Sequence, residues 1–277
     1  MDEAVLETIK YTKSALKGYF ATRNLSLPIT SGLDSRTVLA LMKDHVDEIE
    51  MYTFYLDGFS SETGDIRIPK EISSELDTKH HILPVIEVPD DLRKQIYKEL
   101  GGLENDAILN QAYTYKKSQL SGTYSVPGEI ITLSKSLFGK NLPDSFATLE
   151  YLMTKTHNHT PEARNHVKIW IDHVKDSAKE YNVSLFDLFA HEHRLGRWLP
   201  NSIQNYDYFI DQIYIFNMRH LVKLWMSISK KERTKRSLHL EIIKKEWPEL
   251  LNCDINPDDK IRDKFFSNSY LFYVEAI

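Results

Sequence analysis

The chain has 277 residues, a net charge of −5 and 42% hydrophobic residues. These values are typical of a globular protein with one large domain or two small ones. No apolar run approaches the roughly 18 residues that a membrane span needs, and the charged start of the chain lacks the features of a signal peptide. The single cysteine, Cys253, excludes a disulfide framework and a zinc site built from paired cysteines. We therefore expect a cytoplasmic protein without a membrane partner, and the acidic net charge argues against nucleic acid as a partner.

The first half of the chain alternates between strand-like and helix-like segments. Apolar residues at helical spacing predict helices at 2–19, after the turn at 30–35, and at 65–76. Runs rich in β-branched and aromatic residues predict strands at 24–29, 50–56, 79–85 and 122–126. Pro28 cannot donate to a sheet ladder, so it belongs at the last paired position of its strand. The alternation predicts an α/β fold with a doubly wound parallel sheet.

The character of the sequence changes near residue 143, after which it is mostly helical. Thr160 before Pro161 is typical of a helix N-cap, and Ser184 followed by Asp187 is typical of a capping box. We divide the chain into an α/β part, 1–142, and a helical part, 143–277, which together form one continuous domain.

A polar turn, Thr30 to Ser35, lies between the first strand and the following helix in the segment "ITSGLDSRTVLALM". Unpaired N–H groups and the helix dipole make such a turn a binding place for phosphate. Thr30, Ser31 and Ser35 supply hydroxyl donors, and Gly32 lets a ligand approach the backbone. Asp34 would repel phosphate unless a cation lay between them, which indicates Mg²⁺. On spacing alone, a plain helix-capping turn remains the alternative.

The residues from Thr30 to Ser35 resemble the S-G-G-x-D-S pyrophosphate-binding loop of the adenylating ATP pyrophosphatases, the PP-loop superfamily. Thr30 replaces the usual serine, and Ser31 replaces the first glycine. With its later segments, the chain is most similar to the synthetase domain of asparagine synthetase-like enzymes. The resemblance implies an adenine nucleotide alpha hydrolase-like, Rossmann-like fold. It makes 1–142 the nucleotide-binding part, and 143–277 the part that completes the active site.

Later segments extend the resemblance. "TFY" at 53–55 resembles the strand end near the adenine, which implies Thr53 and Phe54 as nucleotide contacts. "VPGEI" at 126–130 resembles a second anionic loop, in which Glu129 would help Asp34 to hold Mg²⁺. "TKRSLHLEIIKKEWPEL" resembles the segment that carries the family's catalytic lysine, and this places Lys235 in that role.

Two arginines are candidates for substrate binding. Arg194 and Arg197 are three residues apart on a predicted helix, so they occupy neighbouring positions of one face. Arginines in this arrangement are suited to bind a phosphate or a substrate carboxylate.

The resemblance implies an ATP- and Mg²⁺-dependent ligase. Such an enzyme adenylates a small carboxylic acid, releases pyrophosphate and forms an amide. Only the synthetase segment is matched, without the family's glutamine-hydrolysing domain. Ammonia, an amine substrate or a partner chain such as an amidotransferase would therefore supply the nitrogen. Two alternatives stay open. One is a PP-loop enzyme that modifies RNA, and the other is a non-catalytic relative that binds nucleotide or a partner.

Overall fold

A computed structural model describes residues 1–140, 142–156 and 158–257. In this part of the chain, four strands form one parallel sheet in the order β3-β2-β1-β4. The strands are β1 (Leu25–Pro28), β2 (Ile49–Tyr55), β3 (His80–Pro84) and β4 (Tyr124–Ser125). The helices of the first half are α1 (Asp2–Phe20), α2 (Leu33–Leu41), α3 (Gly64–Glu75), α4 (Asp90–Leu100) and α5 (Asp106–Lys117). The sheet is flanked by helices, so the predicted α/β, Rossmann-like class is confirmed.

The second half is helical, as predicted, up to residue 257. Its helices are α6 (Leu149–Met153), α7 (Pro161–Glu180), α8 (Leu185–Phe189), α9 (Leu199–Tyr206), α10 (Arg219–Ser227), α11 (Lys230–Thr234) and α12 (Ser237–Glu246). A stretch of π-helix, Ala190–Trp198, joins α8 to α9. No helix in the described ranges is long and apolar enough to cross a bilayer.

The four predicted strands are all present. Pro28 is the last paired residue of β1, opposite Tyr52, as its missing N–H requires. β1 lies inside the sheet between β2 and β4, and both faces of such a strand are covered. Leu25, Ser26 and Leu27 are accordingly buried without an exposed position between them.

One of the two predicted helix caps is confirmed and the other is wrong. The Thr160 hydroxyl accepts a hydrogen bond from the N–H of Ala163 at 3.2 Å and caps α7. Ser184 precedes α8 but makes no capping bond, because its hydroxyl donates to Asp144 at 2.6 Å. Asp187 is not part of a capping box either, since its carboxylate is buried against Arg233.

The main apolar core draws on both ends of the chain. Residues of α1, β1 and α2 pack there with residues of α10 and α12, such as Trp225 and Ile242. A second apolar cluster lies among α6, α7 and α8, around Trp170 and Phe186. Because α12 packs on α2, a residue near the end of the described chain reaches the turn that follows β1.

Candidate functional site

The polar turn lies where β1 ends and α2 begins, at the carboxyl edge of the sheet. The Thr30 hydroxyl accepts a hydrogen bond from the Gly32 N–H at 3.2 Å, and the Ser35 hydroxyl accepts one from the Thr30 N–H at 3.1 Å. These bonds hold the turn in one shape. The amino end of α2 therefore opens at the edge where parallel α/β sheets bind their ligands.

Ser31 faces away from the mouth of the turn. Its N–H and its hydroxyl both donate to Oδ1 of Asp65, at 3.0 and 2.6 Å, and both residues are buried. Asp65 lies in the first turn of α3, so these bonds tie the turn to a second helix. The Ser31 side chain is thus an anchor beneath the turn.

Arg36 fixes the turn from the other side. Arg36 lies in α2, its guanidinium is fully buried, and its hydrogen-bond acceptors within residues 1–257 are backbone carbonyls. The acceptors are the carbonyls of Leu250, Cys253, Ser31 and Asp254, at 3.0, 2.8, 3.1 and 2.7 Å. The segment after α12 is thereby held across the base of the turn. No sequence pattern predicted this contact, because three of its four acceptors are backbone atoms more than two hundred residues away.

Asp34 lies between two cationic or polar partners. Lys135 Nζ donates to Asp34 Oδ2 at 2.6 Å, and His239 Nε2 lies 2.7 Å from Asp34 Oδ1. The Asp34 side chain is 28% exposed and that of Lys135 is 20% exposed. Burial opposes ionisation of Asp34, but the charge of Lys135 and the bond from His239 outweigh it and hold its pKa at about 2. Asp34 is therefore a carboxylate at neutral pH.

His239 was not predicted as a site residue. It is 0% exposed, and burial lowers its pKa although Asp34 acts in the opposite direction. A neutral imidazole is consistent with this, with Nε2–H donating to Asp34 and Nδ1 lying 3.5 Å from the Ser134 hydroxyl. The available sequence signal was its place in the segment whose resemblance put Lys235 in the catalytic role, and no role was assigned to His239 there.

The loop that carries Glu129 lies directly against the turn. A Cβ atom on Gly128 would lie 2.6 Å from the carbonyl carbon of Asp34, which no side chain tolerates. The next residue but one, Ile130, has φ 70° and forms a tight turn in which the Ile131 N–H donates to the Glu129 carbonyl at 2.8 Å. A β-branched residue in this conformation is strained. The loop is therefore held by close backbone packing.

Glu129 lies among charges from several elements. Burial raises its pKa, Arg194 and Lys135 oppose the rise, and Asp34 adds to it. Burial and the nearby Glu129 in turn raise the pKa values of Tyr206 and Tyr214. The charges of Asp34, Lys135 and Arg194 thus all act on the half-buried carboxyl group of Glu129.

The two candidate arginines diverge from each other. Arg194 stacks on Trp198, with 3.4 Å between its guanidinium carbon and the ring centre, and its charge acts on Glu129. Arg197 is exposed and contacts His166 of α7. The predicted shared face does not form, because the segment is a π-helix. The structure brings Arg194 toward the site and places Arg197 away from it.

The remaining predicted residues lie outside the turn. Lys235 is 58% exposed and pairs with Glu232 at 3.5 Å, so the lysine that reaches Asp34 is Lys135. Thr53 donates its hydroxyl to the carbonyl of Ile29 at 2.6 Å and so supports the start of the turn. Phe54 packs edge-on against Tyr52.

The surroundings of the Asp34 carboxylate do not fit a Mg²⁺ ion that the protein itself would hold. Both Asp34 oxygens already have partners, and a Mg²⁺ on Oδ2 would lie roughly 4 Å from the Lys135 ammonium, given the ~2 Å length of Mg–O bonds. Two unit charges repel by about 4 kcal/mol at that distance near a protein surface, and a divalent ion repels by twice that. Among the described residues, no three His, Cys, Asp or Glu side chains form a metal cluster.

Comparisons with known proteins assign neither a family nor a role to this chain. No family model matches the chain, and no curated protein matches its sequence. One solved structure that matches is the U34-tRNA thiolase NcsA from Methanococcus maripaludis, determined with its [4Fe-4S] cluster. The match is 12% identical, covers 99% of this chain and 80% of that chain, and has a TM-score of 0.30. A likeness at this level transfers no residue role to the chain.

Proposed function

We propose that this chain binds ATP with its β- and γ-phosphates on the turn 30–35, and that it adenylates a small carboxylate. The observation that carries the proposal is the turn itself, a fixed polar cradle at the amino end of α2 with Asp34 and Lys135 at its mouth. Helix amino ends and lysine ammonium groups bind phosphate through charge and N–H donors. Magnesium, in this proposal, is limited to what ATP itself carries.

The chemistry has two steps. A carboxylate oxygen of the substrate attacks the α-phosphorus of ATP, the bond to the β-phosphate oxygen breaks, and pyrophosphate leaves. Ammonia or an amine then attacks the acyl carbon, loses a proton, and displaces AMP to give an amide. Thr30, Ser35 and the N–H groups of α2 would hold the pyrophosphate, and Lys135 would offset its charge. Glu129, whose pKa is raised, is suited to take the proton from the amine.

Pyrophosphate release tests this proposal. The protein is incubated with ATP, Mg²⁺, a panel of carboxylic acids and ammonia or an amine. We expect release that depends on one class of acid, and a fall of about a hundredfold or more in Asp34→Asn, because the position of Lys135 would be lost. Asp47→Asn is the matched control, since Asp47 is an exposed carboxylate of the same charge. ATP binding without release under any condition would favour the non-catalytic alternative.

A groove of about 870 Å³ favours a second candidate, an enzyme that modifies RNA. The lysines that line it are Lys140, Lys230, Lys231 and Lys235, and Asp144 is the acidic residue, whereas the lining Arg233 is already paired with the buried Asp187. A basic groove on a chain of net charge −5 is suited to a phosphate backbone. With one cysteine, the chain cannot ligate an iron–sulfur cluster through several thiolates.

The RNA candidate is tested by binding. If the groove holds RNA, the logarithm of the affinity falls with the logarithm of the salt concentration by about 0.7 per neutralised phosphate of a single strand. The double change Lys140→Met and Lys231→Met should lower that slope. The same double change at the exposed Lys10 and Lys94, outside the groove, should leave it unaltered. An affinity independent of salt would contradict this candidate.

A further inference from the structure

We propose that the ammonium of Lys135 is a built-in cation of the phosphate site, so that this chain binds the phosphates of ATP without a metal ion held by the protein. The inference rests on the proposed binding of ATP at the turn 30–35. It goes further in replacing the expected metal by a side chain. Its basis is the contact between Lys135 Nζ and Asp34 Oδ2 at 2.6 Å.

A carboxylate at the mouth of a phosphate cradle needs a positive charge between it and the ligand. In this chain the positive charge is already present, because the ammonium group of Lys135 forms a salt bridge with the carboxylate of Asp34. Asp34 in turn is fixed through its other oxygen by His239, which is fully buried. The lysine is thus held by a carboxylate that cannot swing away from it.

Lys135 retains the capacity to bind a ligand. A lysine ammonium has three N–H donors, and in the described part of the chain Asp34 is the one group that accepts a hydrogen bond from Lys135. The Lys135 side chain is 20% exposed, so it is not sealed from solvent. An incoming phosphate oxygen can therefore take a second N–H while Asp34 keeps the first.

The local backbone holds this geometry. Lys135 ends the short helical turn Ile131–Ser134, and its N–H donates to the carbonyl of Thr132 at 3.0 Å. The preceding loop packs on the backbone of Asp34 at Gly128 with no room for a side chain. Lys135 and Asp34 are therefore presented to each other by two backbones in direct contact.

Binding of ATP and of pyrophosphate, measured by calorimetry in excess EDTA and in excess Mg²⁺, tests the inference. For the unchanged protein we expect dissociation constants that differ by less than about threefold between the two conditions, since the site needs no ion. In EDTA, Lys135→Met should weaken binding by about tenfold or more, because a charge-assisted hydrogen bond is lost. Lys135→Arg should retain most of the affinity.

Mg²⁺ gives the sharpest contrast. In Lys135→Met, Oδ2 of Asp34 loses the lysine and can bind Mg²⁺. Mg²⁺ should therefore restore ATP binding in the variant, although it changes the affinity of the unchanged protein little. Lys94→Met is the control, because Lys94 is an exposed lysine of α4 outside the groove and its loss should leave binding as in the unchanged protein. Circular dichroism of each variant excludes unfolding as the cause.

The outcomes separate the two proposals. Binding of the unchanged protein only in the presence of Mg²⁺ would overturn the role of Lys135 but leave ATP binding intact. Equal affinity of Lys135→Met and the unchanged protein in EDTA would do the same. An absence of binding under every condition would overturn the proposed function itself, and this inference with it.

Discussion

Ser31 gives both of its donors to a single oxygen, Oδ1 of Asp65, and both residues are buried. The sequence predicted this serine as a hydroxyl donor to phosphate, at a position where the resemblance expects a glycine. The contact explains the substitution, since a glycine would leave the buried Asp65 with one donor fewer. Ser31 is therefore a structural residue of the turn, and its side chain leaves the mouth open to a ligand.

We predict that Ser31→Ala lowers the free energy of unfolding by about 1.5–3 kcal/mol, because the hydroxyl bond to a buried carboxylate is lost while the N–H bond remains. Urea unfolding measures this. Ser61→Ala is the control, since the Ser61 hydroxyl bonds an exposed carboxylate, Glu62, and its loss should change stability by less than about 0.5 kcal/mol. Equal effects of the two substitutions would contradict the anchoring role.

Gly128→Ala should disturb the site more than its size suggests. The new methyl group would lie 2.6 Å from the Asp34 carbonyl carbon, so one of the two backbones must move. We expect a loss of about 1–3 kcal/mol in stability, as for overpacking, together with weaker ATP binding. Gly18→Ala is the matched substitution, because nothing lies within 4 Å of its added methyl group. Wild-type ATP affinity in Gly128→Ala would show that the two loops do not depend on each other.

Local patterns were sufficient to predict the fold. The period-two and 3.6-residue patterns report burial within one element, and they located the four strands of the sheet and the first three helices, but not α4 and α5 between β3 and β4. Pro28 even fixed the end of β1, because a missing N–H has one acceptable position there. These patterns depend on residues that are close together in the chain, so they can be recognised in a single sequence.

The site was harder to predict from the sequence, because its contacts join distant segments. The turn 30–35 is continuous in sequence and was found, whereas Lys135 and His239 reach Asp34 from 101 and 205 residues away. The resemblance placed Lys235 in the catalytic role and gave Lys135 none, because only tertiary packing decides which ammonium reaches the carboxylate. The predicted pairing of Arg194 with Arg197 assumed an ordinary α-helix, and a π-helix separates them.

Stability should decrease in acid partly through Asp34. The folded pKa of about 2 lies below the ordinary 3.8, so the ionised form stabilises the fold. The contribution is roughly 2 kcal/mol above pH 5, and it is lost as the pH falls through the folded pKa, with about 1 kcal/mol gone by pH 3. His239 acts in the same direction, because its pKa is lowered in the folded protein. Below about pH 6.5 the unfolded chain therefore binds a proton that the folded protein does not, and stability decreases.

The measurement is a series of urea unfolding curves between pH 7 and pH 3 for the unchanged protein and for Asp34→Asn. The asparagine cannot titrate, so the difference in unfolding free energy between the two should shrink as the pH falls. Asp47→Asn, which replaces an exposed carboxylate, should give a difference close to zero at every pH. A constant difference for Asp34→Asn would show that its pKa is not lowered in the folded protein.

Arg36→Met should loosen the turn from the segment that follows α12. Removal of the guanidinium leaves four backbone carbonyls without this donor, and each unsatisfied buried group costs about 1–3 kcal/mol. We expect a loss of at least about 3 kcal/mol in stability and faster amide exchange at residues 250–254. Arg23→Met, at an exposed arginine, should leave both quantities nearly unchanged. Unaltered amide exchange at residues 250–254 in Arg36→Met would show that Arg36 does not hold this segment on the turn.

The buried pair of Arg233 and Asp187 gives the last prediction. The two side chains are 6% and 5% exposed and lie 2.6 Å apart, so removal of one leaves an uncompensated charge in the interior. Arg233→Met should therefore lower the free energy of unfolding by about 3–5 kcal/mol, and the further change Asp187→Leu should recover part of that loss. The exposed pair of Lys175 and Asp172 is the control, and Lys175→Met should change stability by less than about 1 kcal/mol. The two single variants are measured beside the double variant. If the stability lost in the double variant equals the sum of the two single losses, the charges do not interact. The arginine would then act only through its hydrogen bond to the Ile228 carbonyl.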